Sequence, residues 1–134
     1  MSSIPPRPTP PESPLSAPYW EGLAQGELRL QVCAHCGALR HYPRLLCTAC
    51  FREGVTWRAA IGRGRIHSWT VAHYAYHPAF AAELPYTLVT VDLEEGPRAL
   101  GRWHGGDLAL GLRVQVRVEI KDGVPALGFE PQRG

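Results

Sequence analysis

Four cysteines carry the clearest chemistry in this 134-residue chain. They stand as Cys33-Ala-His-Cys36 and Cys47-Thr-Ala-Cys50, with ten residues between the pairs, and they are the only cysteines present. A thiolate pair separated by two residues can wrap one metal ion from a single tight turn. Two such turns supply four sulfurs, enough for a closed tetrahedral zinc site with Zn–S distances of about 2.3 Å. A fully ligated ion has no open position, so the metal is expected to be structural rather than catalytic. His35 and His41 lie beside the pairs and could ligate in principle; with four sulfurs available they are expected to face solvent.

Other uses of the cysteines fit less well. Disulfides suit secreted chains, and the N-terminus shows no apolar secretory stretch. A redox Cys-x-x-Cys uses one pair in a strand–helix–strand context and leaves the second pair without a role. Iron accepts the same four thiolates as zinc, and the ligand set alone leaves it open. The absence of a leader and of any apolar run of 18 residues points to a cytoplasmic chain without a membrane span, where thiols stay reduced.

Net charge is only +2, but it is unevenly spread. Arg29 to Arg65 holds seven arginines and one acid, Glu53, whereas the flanking segments are each mildly acidic. The metal-binding stretch is therefore the electropositive end. Hydrophobic residues make up 45% of the chain, which marks a globular protein.

The elements that must position the cysteines can be read in order. Residues 1–15 form a Pro-rich arm. Seven of the thirteen prolines fall in residues 1–18, which forbids helix and central strand alike. The arm is expected to be flexible in the isolated protein; the alternative is an arm lying on a partner subunit. Residues 16–26 read as a short helix, with Ser16 as cap, Tyr19, Trp20, Leu23 and Ala24 on one face, and Gly26 as the stop. Residues 27–58 read as a zinc ribbon. Glu27 to Val32 alternates as a strand into the first cysteine turn, Ala38 to Tyr42 returns, and Val55 to Trp57 makes a third strand. Some thirty residues bury too little to fold unaided, and metal binding would supply about 10 kcal/mol.

Residues 59–131 are β-rich. Gly62-Arg-Gly64 turns into a long strand to about Tyr74. Tyr86–Leu93 and Arg98–Trp103 follow. Arg113–Ile120 is the clearest alternation, with Val114, Val116, Val118 and Ile120 expected to face inward. Asp122-Gly123 reads as a hairpin turn into a last strand, Val124–Phe129. Five strands in about seventy residues suit a small closed barrel, the OB-fold first and an SH3-like barrel second. The fold class is thus mainly β: a short N-terminal helix and zinc ribbon, then a five-stranded barrel. The segment Tyr74–Pro85 is richer in apolar and aromatic residues than a surface loop needs. It could plug the barrel mouth through Phe80 and Leu84, or form a groove wall or subunit contact.

Together these motifs resemble a family that fuses a rubredoxin-like zinc ribbon to an OB-fold, long known only as a domain of unknown function. The resemblance runs through Tyr19–Glu21, Gly26–Gln31, Cys33-x-x-Cys36-Gly37, His41–Arg44, Cys47-x-x-Cys50, Gly62-x-Gly64, Ser68–Val71, His77-Pro-x-Phe80 and Leu84–Tyr86. One departure is Phe51, where many relatives carry glycine. The resemblance implies a partner rather than a reaction: a non-catalytic accessory subunit of a thiolase-like acyl-CoA enzyme, with a hydratase or aldolase as neighbour, in lipid or steroid side-chain metabolism. It implies structural zinc at Cys33, Cys36, Cys47 and Cys50.

No catalytic set emerges from the residues. His67, His73, His77 and His104 are scattered, and no nucleophile elbow or phosphate loop accompanies them. Arginine binds phosphate through two parallel hydrogen bonds, so Arg40, Arg44, Arg63 and Arg65 are candidates for the phosphates of CoA or for an acidic partner surface. Trp20, Tyr76 and Phe80 are candidates for the partner interface or an acyl groove. The competing reading is a nucleic-acid module, since zinc ribbons and OB-folds both serve that role. Against it, the barrel half is acidic and Lys121 is the only lysine, so nucleic acid is not the expected partner.

Overall fold

The computed structural model describes residues 5–9 and 13–133. One helix, α1 (Ala17–Ala24), precedes ten strands. Its start is held by a Ser13 turn: the Ser13 carbonyl accepts from the amides of Ser16 and Ala17. Ser16 is the first residue outside the helix, but its side chain makes no capping bond, contrary to expectation. The end follows the sequence reading. Gly26 takes φ +82°, its amide bonds the Leu23 carbonyl, and the Glu27 amide bonds the Gly22 carbonyl. This is the paired hydrogen-bond closure that a left-handed glycine permits.

The ribbon is a three-stranded antiparallel sheet in the order β2–β1–β3, built from β1 (Arg29–Cys33), β2 (Leu39–Arg40) and β3 (Val55–Ala59). The alternation of β1 puts Leu28 and Leu30 against α1 and the barrel, where both are buried.

The barrel strands are β4 (Arg63–Ala72), β5 (Tyr86–Leu93), β6 (Arg98–Trp103), β7 (Arg113–Val116) and β10 (Gly128–Pro131). They close in the order β10–β6–β5–β4–β7. Closure comes from a parallel β10–β6 pair and antiparallel pairs of β10 and β4 with β7. This is the OB arrangement of a five-stranded barrel. Gly64 is buried in β4, where a Cβ would meet the Val91 side chain at 2.6 Å; the second glycine of Gly62-x-Gly64 is there for close strand packing. Val89, Val91, Val114 and Phe129 are fully buried at the barrel centre.

One expectation is corrected here. Arg113–Ile120 is not one strand. The chain leaves the barrel after Val116, and β8 (Glu119–Lys121) pairs only with β9 (Val124–Ala126) as a separate hairpin. Ile120 consequently faces solvent at 57% exposure, because it lies beyond the last position at which the barrel has a partner for it. The hairpin turn itself is as expected, with Asp122 at φ 55° and Gly123 at φ 75°. The described part of the arm makes contacts of its own. Within residues 5–9, Arg7 is buried. Its amide donates to Asp122 Oδ2 and its Nη2 to Glu83 and Glu119. The rest of the expected arm lies partly outside the described residues.

Candidate functional site

The two cysteine turns are built alike. In the first, the Gly37 amide bonds the Cys33 carbonyl at 3.0 Å, and the His35 amide donates to Cys33 Sγ at 3.4 Å. In the second, the Phe51 amide bonds the Cys47 carbonyl at 2.9 Å, and the Ala49 amide donates to Cys47 Sγ at 3.4 Å. The residue after each pair sits at positive φ: Gly37 at 75° and Phe51 at 61°. The four Sγ atoms all lie within 4.8 Å of one another, and the pairs Cys33–Cys50 and Cys36–Cys47 are each 3.6 Å apart. A tetrahedron of sulfurs at Zn–S distances of about 2.3 Å has edges of about 3.8 Å, so the set fits a single zinc ion. Amide donors stabilise the thiolate: the backbone amides of Cys36 and His35 hold the Cys33 thiol down at about 6, and those of Cys50 and Ala49 likewise lower Cys47.

Neither neighbouring histidine is among the clustered ligands. His35 is exposed, with Nε2 3.0 Å from the Glu53 carbonyl. His41 was expected in solvent and is not. It packs on the rings of Tyr19 and Tyr42, with centroids 5.5 and 5.6 Å away, and burial pushes it down to about 4.

The four candidate arginines separate. Arg40 is buried, with Nε donating to Gln31 Oε1 at 2.7 Å and Nη2 to the Arg44 carbonyl at 2.9 Å. Gln31 Oε1 also accepts the Arg44 amide at 2.8 Å. Arg40 therefore ties β1 to the segment that leads into the second cysteine turn. Arg44, Arg63 and Arg65 are exposed.

The aromatic candidates also separate. Tyr76 stands out at 89% exposure, with Tyr74 against it. Phe80 turns inward on the 3-10 turn Pro78–Glu83. Together with Trp20 it lines a half-open groove of about 330 Å3 on the outer face of β5 and β6, bordered by α1, the arm and the β8–β9 hairpin. The charged residues of this wall were not singled out in the sequence. Glu83 accepts from Arg7 at 2.6 Å and also pairs with Arg102. Arg102 lies 4.1 Å from the Tyr86 ring centroid, and Arg7 lies 5.3 Å from that of Phe80. Burial opposes ionisation of Glu83, but the two guanidinium groups outweigh it and hold its carboxyl below the usual range. One signal was available: Arg7 is the only charged side chain among the first eleven residues. Its partners are more than seventy residues away, and nothing local marks them.

Two family models cover this architecture. Residues 20–56 match the ChsH2 rubredoxin-like zinc ribbon domain, and residues 57–119 match the ChsH2 C-terminal OB-fold domain. A solved chain of the Ltp2-ChsH2(DUF35) aldolase superposes with a TM-score of 0.80 at 32% identity, covering 91% of this chain and 98% of that one. The chain belongs to the ChsH2 zinc-ribbon and OB-fold family. Two curated relatives are similar over much of this chain. The probable enoyl-CoA hydratase alpha subunit of Thermomonospora curvata is 39% identical over 92 residues, which is 69% of this chain and 28% of that protein. The 3-oxo-4,17-pregnadiene-20-carboxyl-CoA hydratase alpha subunit of Mycobacterium tuberculosis is 33% identical over 101 residues, 73% of this chain and 32% of that protein. The chain thus corresponds to about a third of the length of these relatives. The membership agrees with the four clustered sulfurs, and the metal of this ribbon is structural zinc. No helix among the described residues is long and apolar enough to cross a membrane.

Proposed function

We propose that the chain is a non-catalytic accessory subunit of an acyl-CoA enzyme, docking on a thiolase-like or aldolase-type partner, with a hydratase as a second neighbour. The observation that carries this reading is the distribution of exposed large apolar side chains. Tyr42, Leu45, Leu46 and Phe51 cluster in sequence around the second cysteine turn, at 46–74% exposure. Trp69, Val71, Tyr74 and Tyr76 lie on β4 and in the segment that follows it, at 41–89% exposure. Large apolar side chains left exposed together on one element mark protein contacts. Aromatic side chains dominate contacts of this kind, which keeps Tyr76 as an interface anchor.

The relatives' names supply the chemical context: an aldolase assembled with ChsH2, and hydratase subunits acting on CoA thioesters, one of them a 3-oxo steroid. Carried to this chain, they favour an acyl-CoA partner in lipid or steroid side-chain breakdown in the cytoplasm. Arg44, Arg63 and Arg65 are free to meet CoA phosphates or acidic partner side chains. The histidines support no reaction of the chain's own: His77 caps the 3-10 turn by accepting the Ala79 amide, and His67 is paired to Asp92 at 3.1 Å.

The test is affinity capture with the tagged, zinc-loaded chain from its own host, followed by mass spectrometry. A stoichiometric thiolase-like or aldolase-type enzyme is expected. The charge substitutions Leu45→Asp and Tyr76→Asp should each lower capture by tenfold or more with zinc content unchanged. Recovery of nucleic acid, or of no partner, would sink the reading.

A further inference from the structure

The described arm is anchored to the body by one side chain. Of residues 5–9 only Arg7 is buried, while Pro5, Pro6, Pro8 and Thr9 are exposed. The Arg7 side chain is 5% exposed. Its Nη2 donates to Glu83 Oε1 at 2.6 Å and to Glu119 Oε1 at 2.9 Å, and its amide donates to Asp122 Oδ2 at 3.2 Å. Its guanidinium lies 5.3 Å from the Phe80 ring centroid. Arg102 and Lys121 also reach Glu83. His104 stands 3.6 Å from Glu119, and burial lowers its basicity. Without Arg7, three carboxylates would face two permanent cations. The socket is therefore acidic until one more cation enters, and a largely buried carboxylate that loses a partner is costly.

Nothing in this set of contacts requires the arm to come from the same copy. The three partners lie 76, 112 and 115 residues further along the chain. They sit on the 3-10 turn and on the β8–β9 hairpin, not on α1, which follows the arm in sequence. The ligand is also prepared for binding. Prolines on both sides of Arg7 fix φ, so an extended segment seats at little conformational cost whichever chain carries it. One arginine in an acidic and aromatic seat is a composition common at the centre of contacts between chains.

We propose that the socket of Glu83, Glu119, Asp122 and Phe80 takes Arg7 of a second copy, so that residues 5–9 exchange between two chains. The same contacts serve both arrangements, which makes exchange cheap. In the wild-type chain the attached arm competes at an effective concentration of about a millimolar, so exchanged dimers gather as the protein approaches that range. The exposed apolar side chains assigned to the partner enzyme lie on other elements, and the exchange is independent of the accessory-subunit reading.

The experiment mixes two full-length, zinc-loaded variants. Arg7→Ala has an open socket and no anchor. The double variant Glu83→Gln with Glu119→Gln has an anchor and a neutralised socket. Each alone should sediment as a monomer. Mixed in equal amounts, they should form a one-to-one heterodimer. Adding Arg7→Ala to the double variant should weaken that association at least tenfold. A mixture that stays monomeric up to about a millimolar, a dimer formed by either variant alone, or an association indifferent to the added Arg7→Ala would each overturn the proposal. Should the double variant fail to fold, the Arg7→Ala chain is titrated with a synthetic peptide spanning residues 4–10. Saturable one-to-one binding is expected, at least tenfold tighter than to the wild-type chain, whose own arm fills the socket. Failure to saturate, or equal affinity for the same peptide carrying Arg7→Ala, would overturn the proposal as well.

Discussion

Phe51 occupies a left-handed backbone conformation that favours glycine. At φ 61° its Cβ crowds the following carbonyl, at about 1–2 kcal/mol for an L-residue. Gly37 meets the same demand in the first turn without that cost. Because the Phe51 side chain is 74% exposed, its removal loses little packing. Phe51→Gly should therefore stabilise the isolated chain by about 0.5–1 kcal/mol, the relieved strain less the greater freedom of an unfolded glycine. A melting temperature raised by about 2–5 °C would show it. An unchanged or lower value would mean that the ring packs on something in the free protein. At the same scale, the four sulfurs were legible because ligand type and spacing are local. The bracing contact of Arg40 was not: side-chain type made it a candidate for CoA phosphate or a partner surface, and only the structure places it beside Gln31.

Among the elements, the arm and the 3-10 turn are joined through Glu83. Its carboxyl is held below the ordinary range by Arg102 and Arg7 against the opposing effect of burial. A group whose folded value is depressed contributes stability that is fully present above its ordinary value and is lost as pH falls through the depressed one. The wild-type chain should therefore lose a stability increment as pH drops from about 5 toward 3. Glu83→Gln should already lack that increment at neutral pH and show a flatter profile. Thermal melts of the two proteins across that range make the comparison, and parallel profiles would remove Glu83 from the account. The element boundaries explain another difference. Alternation announced a strand from Arg113 to Ile120, and the period was real, but a barrel partner exists only as far as Val116. Period reports which side of a strand is apolar, not how far its neighbours extend.

For the molecule as a whole, ribbon and barrel share one core. Tyr19 and Leu23 of α1 and Leu28 and Leu30 at β1 pack in the same buried cluster as Ile66, Val89 and Phe129 of the barrel. Loss of zinc should therefore loosen more than the ribbon. Chelation at neutral pH is expected to lower the melting temperature of the entire chain and to keep a single calorimetric transition. Two separated transitions, with the barrel's unmoved, would show that the shared cluster does not couple the units.

The sequence by itself determined the metal ligands and most element types, because cysteine spacing, apolar period and turn chemistry act over a few residues, and the order of its motifs carried the resemblance to the family. Tertiary structure alone decided which charged and aromatic side chains meet. Arg7 reaches Glu83 and Glu119 across 76 and 112 residues, and Trp20 and Phe80 share a groove that neither segment forms alone. Contacts of that range arise from barrel closure and from the path of the arm across it, which local pattern does not encode.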